Sequence, residues 1–302
     1  MTGWAADRES GSSDVGLAFL ADLERWSATD TSPSAPELRA TLLRWLRAAQ
    51  AAQPTMALVH QLAARALDVA AAGVARGDRP ADLRAHLAQS CDQERRDLGA
   101  MRAAVARTAA SLLAERGAWI ATLSSSAIVR EAFLEAKRLG SDPRALVAEG
   151  RPRFEGRALA TALAAAQIPV WLVADAALPL LLSHAAQLWI GADAVTEAGV
   201  INKIGSFAAA LAAREHSVPC YALAGRRKFV PAGTPALRIV EMPPAEVWDT
   251  PAPGVQPRNV YFELVPIGLL RGIVVEGESL GPSEAATLAR ERPLPEELAA
   301  AP

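Results

Sequence analysis

Cysteine is nearly absent: the 302 residues hold two, Cys91 and Cys220. Two cysteines so far apart form neither a disulfide framework nor a thiolate zinc site, so a reducing cytoplasm is the expected setting. Cys220 lies inside an apolar run and reads as a small core residue, and nothing basic beside Cys91 would activate it. Neither sign of charge dominates. The chain carries 31 Lys and Arg against 33 Asp and Glu, a formal net charge of −2, which gives no field that draws a protein to nucleic acid or an anionic membrane. No uncharged apolar run reaches ~18 residues, so no membrane-spanning helix is expected. Asp7, Arg8, Glu9 and Asp14 stand among the first twenty residues, so no signal peptide is expected there. The four histidines, His60, His86, His184 and His216, show no metal-ligand spacing and read as packing or helix-surface residues. Neither a metal nor another cofactor is expected.

What is present is apolar: 51% of the residues are hydrophobic, enough to bury a sizeable core in one domain or two. Two halves read differently. From residue 15 to about 115, apolar residues recur at three- and four-residue spacing, as in "VGLAFLADLERW", "ELRATLLRWLRAAQAA" and "MALVHQLAARALDVAAAG". That spacing predicts amphipathic helices. Breaks fall at 29–36, 53–55 and 76–82. A last helix is predicted from Pro80 to about Glu115, ending near Gly117.

Beyond Gly117 short apolar runs alternate with helical patterns. The runs are "WIATL" (119–123), "ALVAEG" (145–150), "IPVWLVA" (168–174), "AQLWIG" (186–191) and "VPCYALA" (218–224). Alternation of this kind predicts an α/β fold with a mostly parallel sheet covered on both faces. Two later runs, 236–242 and 272–277, are candidates to extend that sheet. The Pro-rich stretch between 242 and 257 reads as a loop. The expected division is therefore a helical domain at 1–116 and a Rossmann-like domain at 117–302.

In open parallel sheets ligands gather beyond the carboxyl ends of the strands. The strand ends here carry Ser124–Ser126, then Glu149 and Arg151, then Asp175, then Asp193, then Arg226–Lys228. Cations and helix N-termini together favour phosphate. Each residue also has a structural reading. Ser124–Ser126 or Asp175 can serve as a helix cap. Arg151 and Arg157 can be solvated cations. Asp193 and Lys203 can form a salt bridge that shapes a loop. Only their convergence on one sheet edge argues for a site.

The stretch "GADAVTEAGVINKIGS" (191–206) followed by "AAREHSVPCYALA", with "QPTMALVHQLAARAL", "EGRPRFEGRALATAL", and "PRNVYFELVP" plus "GIVVEGESLGPSE", resembles the initiation factor 2B alpha/beta/delta family. That family includes ribose-1,5-bisphosphate and methylthioribose-1-phosphate isomerases. The resemblance implies a helical domain followed by a Rossmann-like domain, and a homodimer or higher oligomer. It implies that Asp193 is the acid that protonates the ring oxygen of a 1-phosphorylated aldose. Asn202 and Lys203 match the pair that holds the substrate, Arg151 and Arg157 match positions near phosphate, and Arg8, Ser10 and Gly11 match an N-terminal phosphate loop. The isomerases carry a cysteine where this chain has Ser124; the factor alpha subunits carry serine there. An unassisted hydroxyl is a poor base beside a thiol. The expected function is thus a factor-like protein that binds a phosphorylated sugar or nucleotide, with an aldose-1-phosphate isomerase as the alternative.

Overall fold

A computed structural model of the chain describes residues 3–7 and 10–299. Four helices come first: α1 (Ser12–Thr29), α2 (Ala35–Ala52), α3 (Ala57–Arg76) and α4 (Pro80–Ser111). Local chemistry sets their ends. The Ser34 hydroxyl accepts from the Glu37 amide at 3.4 Å and caps α2, satisfying one of the amides that a helix start leaves unpaired. Gly77, left-handed at φ 75°, closes α3, a backbone state that costs glycine little. Helix α4 stops at Ser111, four residues before the expected Glu115.

The sheet part follows as β1 (Trp119–Leu123), α5 (Ala127–Arg138), β2 (Arg144–Ala148), α6 (Glu155–Ala165), β3 (Val170–Val173), α7 (Leu178–Leu181), β4 (Gln187–Ile190), β5 (Ala194–Thr196), β6 (Gly199–Lys203), α8 (Ser206–Glu215), β7 (Cys220–Leu223), β8 (Phe262–Pro266), β9 (Gly272–Val275), β10 (Glu278–Leu280), α9 (Pro282–Arg290) and α10 (Glu296–Ala299). Seven strands form one sheet in the order β10-β9-β7-β4-β1-β2-β3. All pairings are parallel except that of β10 with β9. The fold is α/β, as the alternating pattern predicts. Strand β1 sits in the interior of the sheet, with Ile120 and Ala121 fully buried.

One expectation fails. The run at 236–242 makes no strand. Ile239 and Val240 are exposed and the segment has a single bridge, Glu241 to Val260. The prolines at 243 and 244 end any extension there. The 191–206 stretch builds a second, smaller sheet. It forms the β5–β6 hairpin, and β8 adds to β6 antiparallel, with Lys203 opposite Phe262. Gly199 permits that pairing, because a Cβ there would lie 2.1 Å from the Val265 carbonyl oxygen.

The expected boundary at 116/117 falls in the connection between α4 and β1. We propose that division as one of element content only, because the chain end returns across it. Gln50 on α2 donates to the Leu298 carbonyl at 3.1 Å, and Arg39 pairs with Glu297 at 2.6 Å. Among the described residues no helix is long and apolar enough to cross a membrane.

Candidate functional site

The carboxyl ends of β1 and β4 open side by side, since these strands are paired neighbours. After β1 the chain turns sharply through Ser124, left-handed at φ 65°. Ser126 then caps α5, accepting from the Val129 amide at 3.5 Å. So one of the three serines caps the helix and leaves the other two at the sheet edge. After β4 the chain passes Gly191 and Ala192 to Asp193. The backbone fixes Asp193 twice: its amide donates to Ile201 at 2.8 Å, and its carbonyl accepts from Ala57 at the start of α3 at 2.9 Å.

These pieces line one narrow cleft of about 40 Å³, walled by Gly11, Ser12, Ser124, Asp193, Asn202 and Lys228 among others. That space is on the scale of a water or a single reacting group rather than a whole sugar ring. Space for a side chain is tight at Gly191 in its wall. A Cβ on Gly191 would stand 3.0 Å from the Ser126 Cβ and 3.2 Å from the Asn202 Oδ1.

Asp193 and Lys228 are both buried in this wall. Loss of water pushes the Asp193 carboxyl above the usual carboxylate range, against the pull of Lys228, the Ser12 hydroxyl and Lys203. The same loss of water pushes the Lys228 ammonium below its ordinary range, opposed chiefly by Asp193. Each disfavours charge and each relieves the other. Lys228 Nζ donates to the Ala192 carbonyl at 2.6 Å, and the Ser12 hydroxyl reaches the same oxygen at 3.4 Å. An acid whose proton is retained more firmly than usual, next to a cation, is suited to protonate an oxygen and to steady the anion that results.

The other expected residues are placed less uniformly. Gly11 lines the cleft. Ser10 is exposed, its amide donating to Asp7 at 2.9 Å. Arg8 lies outside the described residues. Asn202 faces the cleft through its Oδ1 side and donates from Nδ2 to the Ser206 hydroxyl at 2.9 Å. Lys203 is buried, but its partner is not Asp193. Its Nζ meets Glu155 Oε1 at 2.6 Å and lies 4.5 Å from the Tyr261 ring centre. Arg151 and Arg157 do not line the cleft. Both are exposed and stack on Phe154, at 5.2 and 3.8 Å. Arg157 pairs with Glu149 at 2.7 Å. Asp175 caps no helix of its own; it accepts the amides of Gly150 and Arg151 at 2.8 and 2.7 Å and shapes that loop.

Sequence reasoning did not single out Ser12, Lys228 and Glu155. Lys228 stands in "GRRKF", at a strand end already marked as basic. Nothing in the sequence tells which of three adjacent cations turns inward. Ser12 follows the expected phosphate loop directly. Glu155 had no signal, because its partner is 48 positions away.

The model of the Initiation factor 2 subunit family matches residues 8–277. A protein of Pyrococcus furiosus named as translation initiation factor eIF-2B subunit 2-like is 36% identical over 166 residues, 54% of this chain, and the match spans 58% of that protein's length. The ribose 1,5-bisphosphate isomerase of Archaeoglobus fulgidus is 29% identical over 184 residues, 58% of each chain. The solved translation initiation factor eIF-2B of Pyrococcus horikoshii superimposes with a TM-score of 0.78 at 24% identity, covering 92% of this chain and 94% of that one. The chain is a member of the initiation factor 2 subunit family, which holds both factor-like proteins and sugar-phosphate isomerases among its relatives.

Proposed function

We propose that the chain is an aldose-1-phosphate to ketose-phosphate isomerase of the ribose-1,5-bisphosphate or methylthioribose-1-phosphate type. One observation carries the reading: Asp193 is sealed into the cleft with Lys228, its carboxyl raised by burial. A phosphate on the anomeric oxygen blocks spontaneous ring opening, so an acid must protonate the ring oxygen and a base must take the proton from the second carbon. Asp193 supplies the acid, and its carboxylate, having given that proton to the ring oxygen, is the proposed base that takes the proton from the second carbon. Asn202 and Ser124 stand in the same wall to orient the sugar. Lys203, with the exposed Arg151 and Arg157, is the proposed cation set for the phosphates, with Arg8, Ser10 and Gly11 as the N-terminal part. A phosphate reaching Lys203 must share it with Glu155.

A second reading keeps the binding and drops the turnover: a factor-like protein that holds a phosphorylated sugar or nucleotide. Ser124 favours it, because a serine stands where the resembling isomerases carry cysteine. Phosphorus NMR with ribose-1,5-bisphosphate and with methylthioribose-1-phosphate separates the two. Turnover by the unmodified protein supports the isomerase. Binding without turnover, with activity appearing in Ser124→Cys, supports the factor-like protein. Absence of binding to either compound, and to AMP and GDP, removes both.

We also propose a homo-oligomer built through the sheet part. Strand β3 is a sheet edge, and Trp171 and Leu172 on it are 44% and 47% exposed. Leu180 nearby is 73% exposed, whereas Leu178, Leu182 and β4 fill the core. An apolar unpaired edge is a surface that proteins usually cover. Light scattering at micromolar concentration that gives a monomer ends this proposal. The proposed setting is the cytoplasm, since Cys91 and Cys220 are both free and buried.

A further inference from the structure

Three cations stand in one short turn after β7, and each is held by a different element. Arg226 pairs with Glu276 and Glu278 in the β9–β10 hairpin. Lys228 turns inward to the cleft. Arg227 turns the other way, to α4: its Nη1 lies 2.6 Å from Glu94 Oε2, with Asp97 at 3.4 Å from Nη2. Glu94 is 4% exposed, and its nearest other cation, Arg65, stands at 3.8 Å. A carboxylate with so little water must keep a cation close, or the burial is costly. The Arg227 guanidinium is therefore pinned to α4. Arg227 and Lys228 are adjacent in a single helical turn, closed by the Lys228 amide donating to Gly225 at 2.9 Å. Pinning one fixes the backbone from which the other departs.

We propose that Glu94 and Arg227 are positioning residues for Lys228: their ion pair across to α4 holds the turn that keeps the Lys228 ammonium sealed beside Asp193. The long helix of the first half thereby sets the electrostatics of a cleft at the edge of the sheet. The pair borders an open groove of about 630 Å³ between α3 and α4.

The chain has three lysines, Lys137, Lys203 and Lys228, which makes amine labelling a direct readout. Brief acetylation followed by peptide mass spectrometry should modify the half-buried surface Lys137 readily and the other two slowly. In Arg227→Ala, and in the milder Glu94→Gln, Lys228 labelling should rise by about tenfold or more through local opening. Lys203 should stay as slow as in the unmodified protein. No change at Lys228 in either variant overturns the proposal. An equal rise at Lys203 also overturns it, because that marks general loosening and not loss of a local hold. A second arm rests on the phosphosugar reading. Glu94→Gln should weaken ribose-1,5-bisphosphate binding in the unmodified background and have no further effect in Lys228→Met. Independent, multiplying losses overturn the link. If the unmodified protein binds no phosphosugar, that reading fails, and the labelling arm alone decides this one.

Discussion

Replacing Lys203 with methionine is expected to lower the free energy of unfolding by about 3–5 kcal/mol, the cost of removing one partner from a buried ion pair. Lys203 and Glu155 are 4% and 8% exposed and meet at 2.6 Å. Without the ammonium, the Glu155 carboxylate has no other ion-pair partner among the described residues. Among those residues one of its oxygens, Oε2, already lacks a hydrogen-bond partner. The pair also joins two parts of the site, since Lys203 ends β6 and Glu155 begins α6. The double variant Lys203→Met with Glu155→Leu should recover most of the loss, because two apolar groups of similar volume leave no charge stranded. Urea denaturation of the two single variants and the double variant checks this. A single-variant loss as small as that of an exposed pair, about 1 kcal/mol or less, would mean that water reaches the pair and that Lys203 is free to hold phosphate directly.

The second large effect is an acid-sensitive step set by His60. This ring is fully buried on α3. Its Nδ1 accepts from Gln50 Nε2 at 2.8 Å, and its Nε2 faces the Pro54 carbonyl at 3.3 Å. A carbonyl only accepts, so the single ring proton belongs on Nε2 and the neutral ring satisfies both partners. A second proton on Nδ1 would face the Gln50 amide donor. Burial accordingly pulls the His60 pKa from 6.5 down to about 4, despite the favourable Pro54 carbonyl. The unfolded chain takes up this proton below about pH 6.5, while the folded protein refuses it until about pH 4. Stability is therefore complete above 6.5 and drains as the pH falls between those values. The total loss is roughly 3 kcal/mol. Because Gln50 also binds the Leu298 carbonyl, the first element to loosen should be the returning chain end. Urea midpoints measured from pH 7.5 to 4.5 should fall more steeply for the unmodified protein than for His60→Gln. Equal slopes would assign the acid sensitivity to other groups.

The parallel sheet was legible because its strands are short and apolar and, the edge strand β3 aside, mostly buried, with helical spacing between them. Such runs have no other place to go once each is flanked by an amphipathic helix. The three-stranded sheet was not legible. Strands β5 and β6 are three and five residues long within a glycine-rich stretch. Their partner β8 arrives some sixty positions later, across a Pro-rich loop. No local pattern specifies that pairing. The run at 236–242 shows the opposite failure. It has strand-like composition, but nothing offers it an edge, and so it remains an exposed strap.

The site divides in the same way. Asp193 and Ser124 could be selected from the sequence, because each closely follows a strand whose carboxyl end is its address; Asn202, inside β6, came from the family resemblance alone. Sequence order placed Lys203 near them, and the fold turned its ammonium toward Glu155. Arg151 and Arg157 were equally conspicuous as cations, yet they stack on Phe154 at the surface and leave the cleft to Lys228. The sequence by itself determined the class of the fold and the sheet edge at which polar residues gather, which follow from periodicity and from the polarity of strand ends, both local properties. The choice of Asp193 as the acid came from the family resemblance. Only the tertiary structure decided which cation is buried with that acid and what each buried charge is paired with. Burial raises or lowers a charge by removing water from every side at once, and the groups that replace that water here come from α1, α4, the β5–β6 hairpin and the turn after β7, which meet only in the folded chain.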